Sequence, residues 1–334
     1  MRVACNSECV RFDAIVNQSS NQPDVIVVGA GVIGLVTALR LQSQGLSVEI
    51  WTREESEQTT SAVAGAIWYP FLAEPRERVA AWGEFTFHRL RELARDPDAG
   101  VYMRSVTEIF DEDEPDLWWA RGVAGLVRLS PAELPVGYRA GVRVDVPVCE
   151  VPVHMPWLVR CLRERGVRFV HREVGSFEEP LAAARMVVNC CGLGARELCD
   201  DDELQAVRGQ VIRLKGAQMS EAWIDDTGDG PCYLVPRADG LVIGGTAQIG
   251  DERLAVDDSD SEAILKRAMD VFPQLRDAEV IAGSVGLRPC RSSVRLECEQ
   301  RPDGRRLVHN YGHGGSGYTL AWGCAEEVAS LLTS

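Results

Sequence analysis

Residues 24–45, DVIVVGAGVIGLVTALRLQSQG, constrain the fold more than any other stretch of this chain. An apolar run, Val25–Val28, leads into Gly29, Gly31 and Gly34 at the spacing G-x-G-x-x-G, and an apolar helical run follows. In a strand–turn–helix unit the first glycine permits the tight turn, and the second lets the backbone approach a pyrophosphate. The third lets helix and strand pack closely. The helix start then offers unpaired N–H groups and a partial positive charge to phosphate. The pattern predicts a buried parallel strand at Asp24–Val28, a crossover helix at Val32–Gln44 and a second strand at Leu46–Trp51. Ala30 in the turn and Val32 and Ile33 at the start of the helix would face the nucleotide. Glu54 follows Gly34 at about the 20-residue interval at which an acid bonds the ribose hydroxyls. Arg53 beside it could lie over an adenine or contact the phosphates.

The chain is long enough, at 334 residues, for two structural regions. A helix is predicted at about 78–95 and another at His154–Gly166, the latter ending at a glycine stop. VRFVHREV and MVVNCCG read as buried strands, and RLVHNYG leads to a final helix from about Thr319. From about residue 206 the pattern turns antiparallel. GQVIRLKG, CYLVPRADGLVIGGTAQIG and EVIAGSVGLRP alternate and are broken by glycine and Asp-Gly turns, with one helix at about Ser261–Val271. No internal repeat and no low-complexity segment is present. The expected fold class is therefore α/β: a Rossmann-type nucleotide-binding domain built from 23–71, 150–205 and 282–334. An antiparallel β-rich substrate and interface domain is inserted at 72–149 and 206–281, and residues 1–22 form an N-terminal extension.

The formal net charge of −15 and a pI of about 4.9 argue against nucleic acid or an anionic membrane as partner. No apolar run reaches the roughly 20 residues that span a bilayer. The first 22 residues carry no uninterrupted apolar core of a secretory signal, and the last three are not of the Ser-Lys-Leu type. A cytoplasmic protein is expected. Eleven cysteines, an odd number, lack the paired C-x-x-C spacing of a zinc site and are expected mostly as small core residues. Cys5 and Cys9 have no second pair to complete a metal or redox centre. His309 and His313 stand four apart, but the glycines around them oppose the helix a zinc pair would need. They are expected to hydrogen-bond within the glycine turn or near the cofactor, and no metal is expected.

The glycine motif alone leaves NAD and FAD open. Three later stretches favour FAD. TTSAVAGAIW, holding Thr59, Thr60, Ala64, Gly65, Ala66 and Ile67, is small enough for backbone to approach a large flat ring. VVNCCGLGA reads as a strand ending in a glycine turn, with Cys191 and Gly192 beside the dinucleotide; Val174 closes the neighbouring strand. HNYGHGGSGYTLAWG sets Gly314, Gly315, Ser316, Gly317, Tyr318 and Thr319 at the start of the terminal helix. A helix N-terminus aimed at a flavin would stabilise negative charge on the reduced ring.

Taken together, VVGAGVIGL, AGAIWYPF, RGQVIRLKG, YLVPR, GLRPCR and HNYGHGGSGYTLAWG occur in the order of one family. From Pro23 to Leu332 the chain resembles the D-amino-acid oxidases of the glutathione reductase-type FAD fold. The resemblance implies noncovalent FAD, transfer of hydride from the substrate Cα to flavin N5, reoxidation by dioxygen and release of hydrogen peroxide. The imino acid then hydrolyses to a 2-oxo acid and ammonia. It also implies a homodimer.

By the same resemblance Arg288 grips the substrate carboxylate, for which a planar guanidinium fork is suited. Tyr233 bonds that carboxylate through its hydroxyl, and the Gly315 carbonyl accepts from the substrate amine. Tyr69 stands where a side-chain amide is frequent in the family, so it either lines the pocket or packs. The lid between Trp223 and Tyr233 is short, with Asp229 in place of a tyrosine four residues before Tyr233. Ala247 replaces an arginine expected of D-aspartate oxidases, so neutral D-amino acids are favoured over acidic ones, and Arg237 is read as solvated or structural. A Cys232–Cys290 disulfide is an open option, because Tyr233 and Arg288 should converge. The alternatives are a glycine or N-methyl amino acid oxidase, a D-aspartate oxidase, or a non-catalytic flavin or NAD-binding module. Arg288 with Tyr233 argues for catalysis.

Overall fold

The computed structural model describes residues 22–333 apart from 121, 218 and 229. Cys5, Cys9 and Asp229 lie outside the described residues. The chain runs β1 (Val25–Val28), α1 (Val32–Ser43), β2 (Val48–Thr52), α2 (Arg76–Leu93), β3 (Val101–Phe110), β4 (Val127–Arg128) and β5 (Ala140–Cys149). It continues with α3 (Val151–Glu164), β6 (Arg168–His171), α4 (Glu178–Ala183), β7 (Met186–Asn189), α5 (Ala195–Leu198), β8 (Gln205–Lys215) and β9 (Ala222–Asp225). It closes with β10 (Cys232–Arg237), β11 (Gly240–Gly244), β12 (Gln248–Ile249), α6 (Asp258–Val271), β13 (Glu279–Gln300), β14 (Arg306–His313) and α7 (Gly317–Thr333).

The strands join one sheet in the order β4-β5-β3-β9-β10-β11-β8-β13-β14-β7-β1-β2-β6, with β12 paired to β8. The end from β14 to β6 is parallel: Val25 faces Val48 on one side and Met186 on the other, and β14 runs beside β7. All four residues of β1 are buried, as a strand covered on both faces requires. One face of this end packs on α1, which touches α7 and α3. The strands beneath the nucleotide thus come from the start, middle and end of the chain, as the sequence predicts.

The other end is largely antiparallel, β3 with β9 being the parallel exception. Its apolar face, with Ile212, Leu214, Leu234, Leu241 and Ile243, packs under Ile264, Ala268 and Phe272 of α6 and the turn after it. β13 unites the two ends. Its 22 residues pair with β8 over 279–290 and with β14 at 290 and 295–300, and the register shifts between. The sequence predicts a strand only to about residue 289. The charged, serine-rich continuation CRSSVRLECEQ has no apolar run to mark it as a strand. α3 starts three residues earlier than predicted because Pro152 sits in its first turn, where the missing N–H costs nothing. No helix among the described residues is long and apolar enough to cross a membrane.

Candidate active site

One cavity of about 1090 Å³ runs from the β1–α1 turn to the antiparallel end of the sheet. Gly29 has φ +114°, and a Cβ there would lie 2.3 Å from the Cys190 carbonyl oxygen. A Cβ on Gly34 would lie 2.0 Å from the Gly29 carbonyl oxygen, so Gly34 holds helix against turn from behind and does not line the cavity. Gly31 caps α1 with no side-chain bond, and Ser61 Oγ accepts from the Val32 N–H at 3.0 Å. Ala30, Gly31, Val32 and Ile33 line the cavity, as do Thr59, Thr60 and Ala64–Ile67. Val174, Cys191 and Gly192 line it from the neighbouring strands. Arg53 and Glu54 are there too, paired at 3.0 Å, with Glu173 3.6 Å from Arg53.

Gly314, Gly315, Gly317 and Tyr318 bring the start of α7 to the same cavity. Ser316 and Thr319 turn away from it, contrary to the sequence reading. Ser316 Oγ accepts from the Phe71 N–H at 2.7 Å and donates to its carbonyl at 2.9 Å. Thr319 Oγ1 does the same for Tyr69, at 3.1 and 2.9 Å. Both hydroxyls hold the 69–71 segment in place. Neither α1 nor α7 has an acidic residue in its first turn. An elongated cavity with two such helix starts fits a dinucleotide with a diphosphate and a ring that gains negative charge on reduction.

At the far end Arg288 and Tyr233 meet. The Tyr233 hydroxyl lies within hydrogen-bonding reach of the Arg288 guanidinium; burial pushes its phenol up and the arginine offsets part of this. Arg288 Nη1 donates to the Thr246 carbonyl at 2.7 Å, and its guanidinium carbon is 5.5 Å from the Phe71 ring centre. Two glycines that the sequence reading passed over make room. A Cβ on Gly209 would lie 2.4 Å from the guanidinium, and one on Gly244 would lie 2.3 Å from the Tyr233 hydroxyl. Gly315 borders Arg288 and Phe71.

Tyr69 lines the cavity and donates to Glu108 Oε1 at 2.6 Å, with Asp226 Oδ2 at 3.5 Å. Burial, chiefly, pushes the Glu108 carboxyl up to about 7 and Asp226 to about 6. Neither acid is evident from sequence, because Glu108 lies on β3 and reaches Tyr69 only through the fold. Asp226 lines the cavity at the start of the 226–231 link between β9 and β10.

Several other residues take up structural posts. Ala247 is exposed and off the cavity wall. Arg237 is buried, not solvated. It pairs with Glu150 at 3.1 Å and Asp239 at 3.3 Å. His309 and His313 lie on β14. His309 Nε2 meets Glu299 at 3.0 Å, whereas His313 is fully buried on Asn310 and is held down to about 3 by burial. Among the described residues no group of three His, Cys, Asp or Glu is arranged for a metal ion. Cys232 and Cys290 are free thiols. Strand alternation accounts for this: Cys232 points away from Tyr233 into the apolar cluster under α6, while Cys290 shares the Arg288 face of β13.

The family model described as FAD dependent oxidoreductase matches residues 24–331. A D-amino-acid oxidase of Rubrobacter xylanophilus is 45% identical, over 92% of this chain and 94% of the relative. A D-amino-acid oxidase of Streptomyces coelicolor is 41% identical, over 93% and 97%. Among solved structures, glycine oxidase from Geobacillus kaustophilus superposes with a TM-score of 0.78 at 20% identity, over 94% of this chain and 95% of the other.

Proposed function

Since the chain belongs to the FAD-dependent oxidoreductase family, we propose that it is a D-amino-acid oxidase. It converts neutral D-amino acids to 2-oxo acids, ammonia and hydrogen peroxide. The carrying observation is that Arg288 and Tyr233 converge at one end of the cavity whose other end is the Gly29–Gly34 turn. The starts of α1 and α7 would hold noncovalent FAD, which when bound would supply the two-electron oxidation of the substrate with dioxygen as acceptor.

The protein's own part is binding and orientation. The Arg288 fork and the Tyr233 hydroxyl fix the substrate carboxylate by charge-assisted bonds. The Gly315 carbonyl accepts from the substrate amine, so two of the substituents on Cα are pinned and its face is set. Phe71 and Ile67 on the wall exclude water from the reacting carbon. The cofactor residues of this proposal are those on the cavity wall; Gly34, Ser316 and Thr319 support them from behind.

The cavity acid Asp226 speaks against D-aspartate, since a second carboxylate would meet a like charge. The division into a nucleotide domain and an inserted substrate domain is part of the same proposal, as are a homodimer and a cytoplasmic site. The free thiols of Cys149, Cys190, Cys232, Cys290 and Cys324 suit a reducing compartment. The test is a peroxide assay with added FAD on D-alanine, D-valine, D-aspartate, glycine and the L-enantiomers. Peroxide from the neutral D-enantiomers supports the reading. Peroxide chiefly from glycine or from D-aspartate replaces it with the corresponding oxidase.

A further inference from the structure

The cavity wall beside Arg288 and Tyr233 carries an acid with no donor of its own. The Tyr69 hydroxyl has one proton, and the 2.6 Å contact commits it to Glu108. At 3.5 Å, Asp226 Oδ2 is left at the outer limit of a hydrogen bond that Tyr69 has already spent elsewhere. Asp226 is exposed on the cavity wall, next in the chain to the buried Asp225.

A second carboxyl oxygen nearby is also unmatched. Glu108 is 4% exposed, and its Oε2 is buried without a partner. It borders a void of about 10 Å³ whose wall includes Tyr69 and Ile224, and both of these residues also line the main cavity. Two acids therefore flank one tyrosine at the edge of the substrate end, and the tyrosine's single proton goes to Glu108. A ligand that brings a cationic donor to the cavity wall would gain a charge-assisted hydrogen bond to Asp226.

We propose that Asp226 reads the substrate's side chain and selects D-amino acids with a cationic end, of the D-lysine and D-ornithine class, over neutral isosteres. Glu108 acts through Tyr69 as a positioning residue, holding its ring as the wall against which the side chain lies. The proposal rests on the D-amino-acid oxidase reading and widens its neutral class to basic substrates. An acidic side chain is rejected by the same wall.

The test uses the FAD-loaded full chain and three non-oxidisable carboxylates of equal length: 6-aminohexanoate, hexanoate and adipate. Their binding is followed by the change in flavin visible absorbance. Turnover of D-lysine, D-norleucine and D-2-aminoadipate is measured beside them. In the unaltered protein 6-aminohexanoate should bind about tenfold more tightly than hexanoate, and adipate more weakly still. Asp226→Asn should bring 6-aminohexanoate and hexanoate within about threefold of each other. Equal binding of 6-aminohexanoate and hexanoate to the unaltered protein overturns the proposal even if the variant does not fold. So does an unchanged ratio in Asp226→Asn. D-norleucine turnover without a charge preference overturns only this proposal. No turnover of any D-amino acid overturns the oxidase reading, and the carboxylate series still reports on Asp226.

Discussion

Arg288 owes its place to a residue on another strand. Gly209 on β8 pairs with Gly286 on β13, and the guanidinium lies where a Gly209 side chain would be. Gly209→Ala should therefore push Arg288 off its site. The expected result is a rise of about tenfold or more in KM for every carboxylate substrate, with flavin content unchanged; steady-state kinetics and visible absorbance check both. Glu108 offers a second test. Its folded-state value of about 7 stands above the exposed value of 4.5, chiefly through burial, so folding takes up a proton between them. The stability this group supplies is full below about pH 4.5 and is lost as pH rises through about 7. In Glu108→Gln the unfolding midpoint should fall less between about pH 5 and pH 8 than in the parent chain. An equal fall in both would contradict this assignment. Arg288, Tyr233 and Gly315 are legible in the sequence because they sit in recognisable motifs. Gly209, Glu108 and Asp226 are not, since their partners lie far away along the chain and meet them only across strands.

Elements carry the site by joining distant segments. The hydroxyls of Ser316 and Thr319 tie the first turns of α7 to the backbone of residues 69 and 71, so the terminal helix positions the wall near Tyr69. α6 is held to β8 by Arg208, which is fully buried. It donates to Asp260 and Gln248 at 2.7 Å and to the Arg253 and Ala255 carbonyls. Removing the only carboxylate among these partners leaves a buried charge uncompensated. Asp260→Ala should cost about 3–5 kcal/mol, read from the shift of the denaturant midpoint. A loss below about 1 kcal/mol, as for an exposed pair, would contradict it. The helices and the first βαβ unit are legible because apolar period, glycine stops and the acid after β2 are local signals. β13 is legible only in its first half, because the rest of its strand character comes from pairing with β14. Arg208 reads as an ordinary charged residue of an alternating strand, and its burial comes from the 248–260 segment, which reaches it only through the fold.

Over the whole molecule, a parallel sheet end supports the nucleotide turn and an antiparallel end supplies Tyr233 and Arg288, with β13 continuous between them. The split of the parallel strands among three stretches of chain is legible from sequence. The strand order of the antiparallel end is not, because non-local pairing leaves no mark on local composition. Stereochemistry is the central claim of the proposed roles: one arginine fork and one backbone carbonyl would present a single face of Cα to the flavin. The most direct measurement is anaerobic mixing of the FAD-loaded protein with D-norleucine and, separately, with L-norleucine, followed by flavin visible absorbance. This reports reduction without requiring dioxygen as acceptor. The account predicts loss of the oxidised flavin band with the D-enantiomer and none with the L-enantiomer. Bleaching by both, or by the L-enantiomer alone, would contradict the assignment of Arg288, Tyr233 and Gly315 as the groups that set the substrate's face.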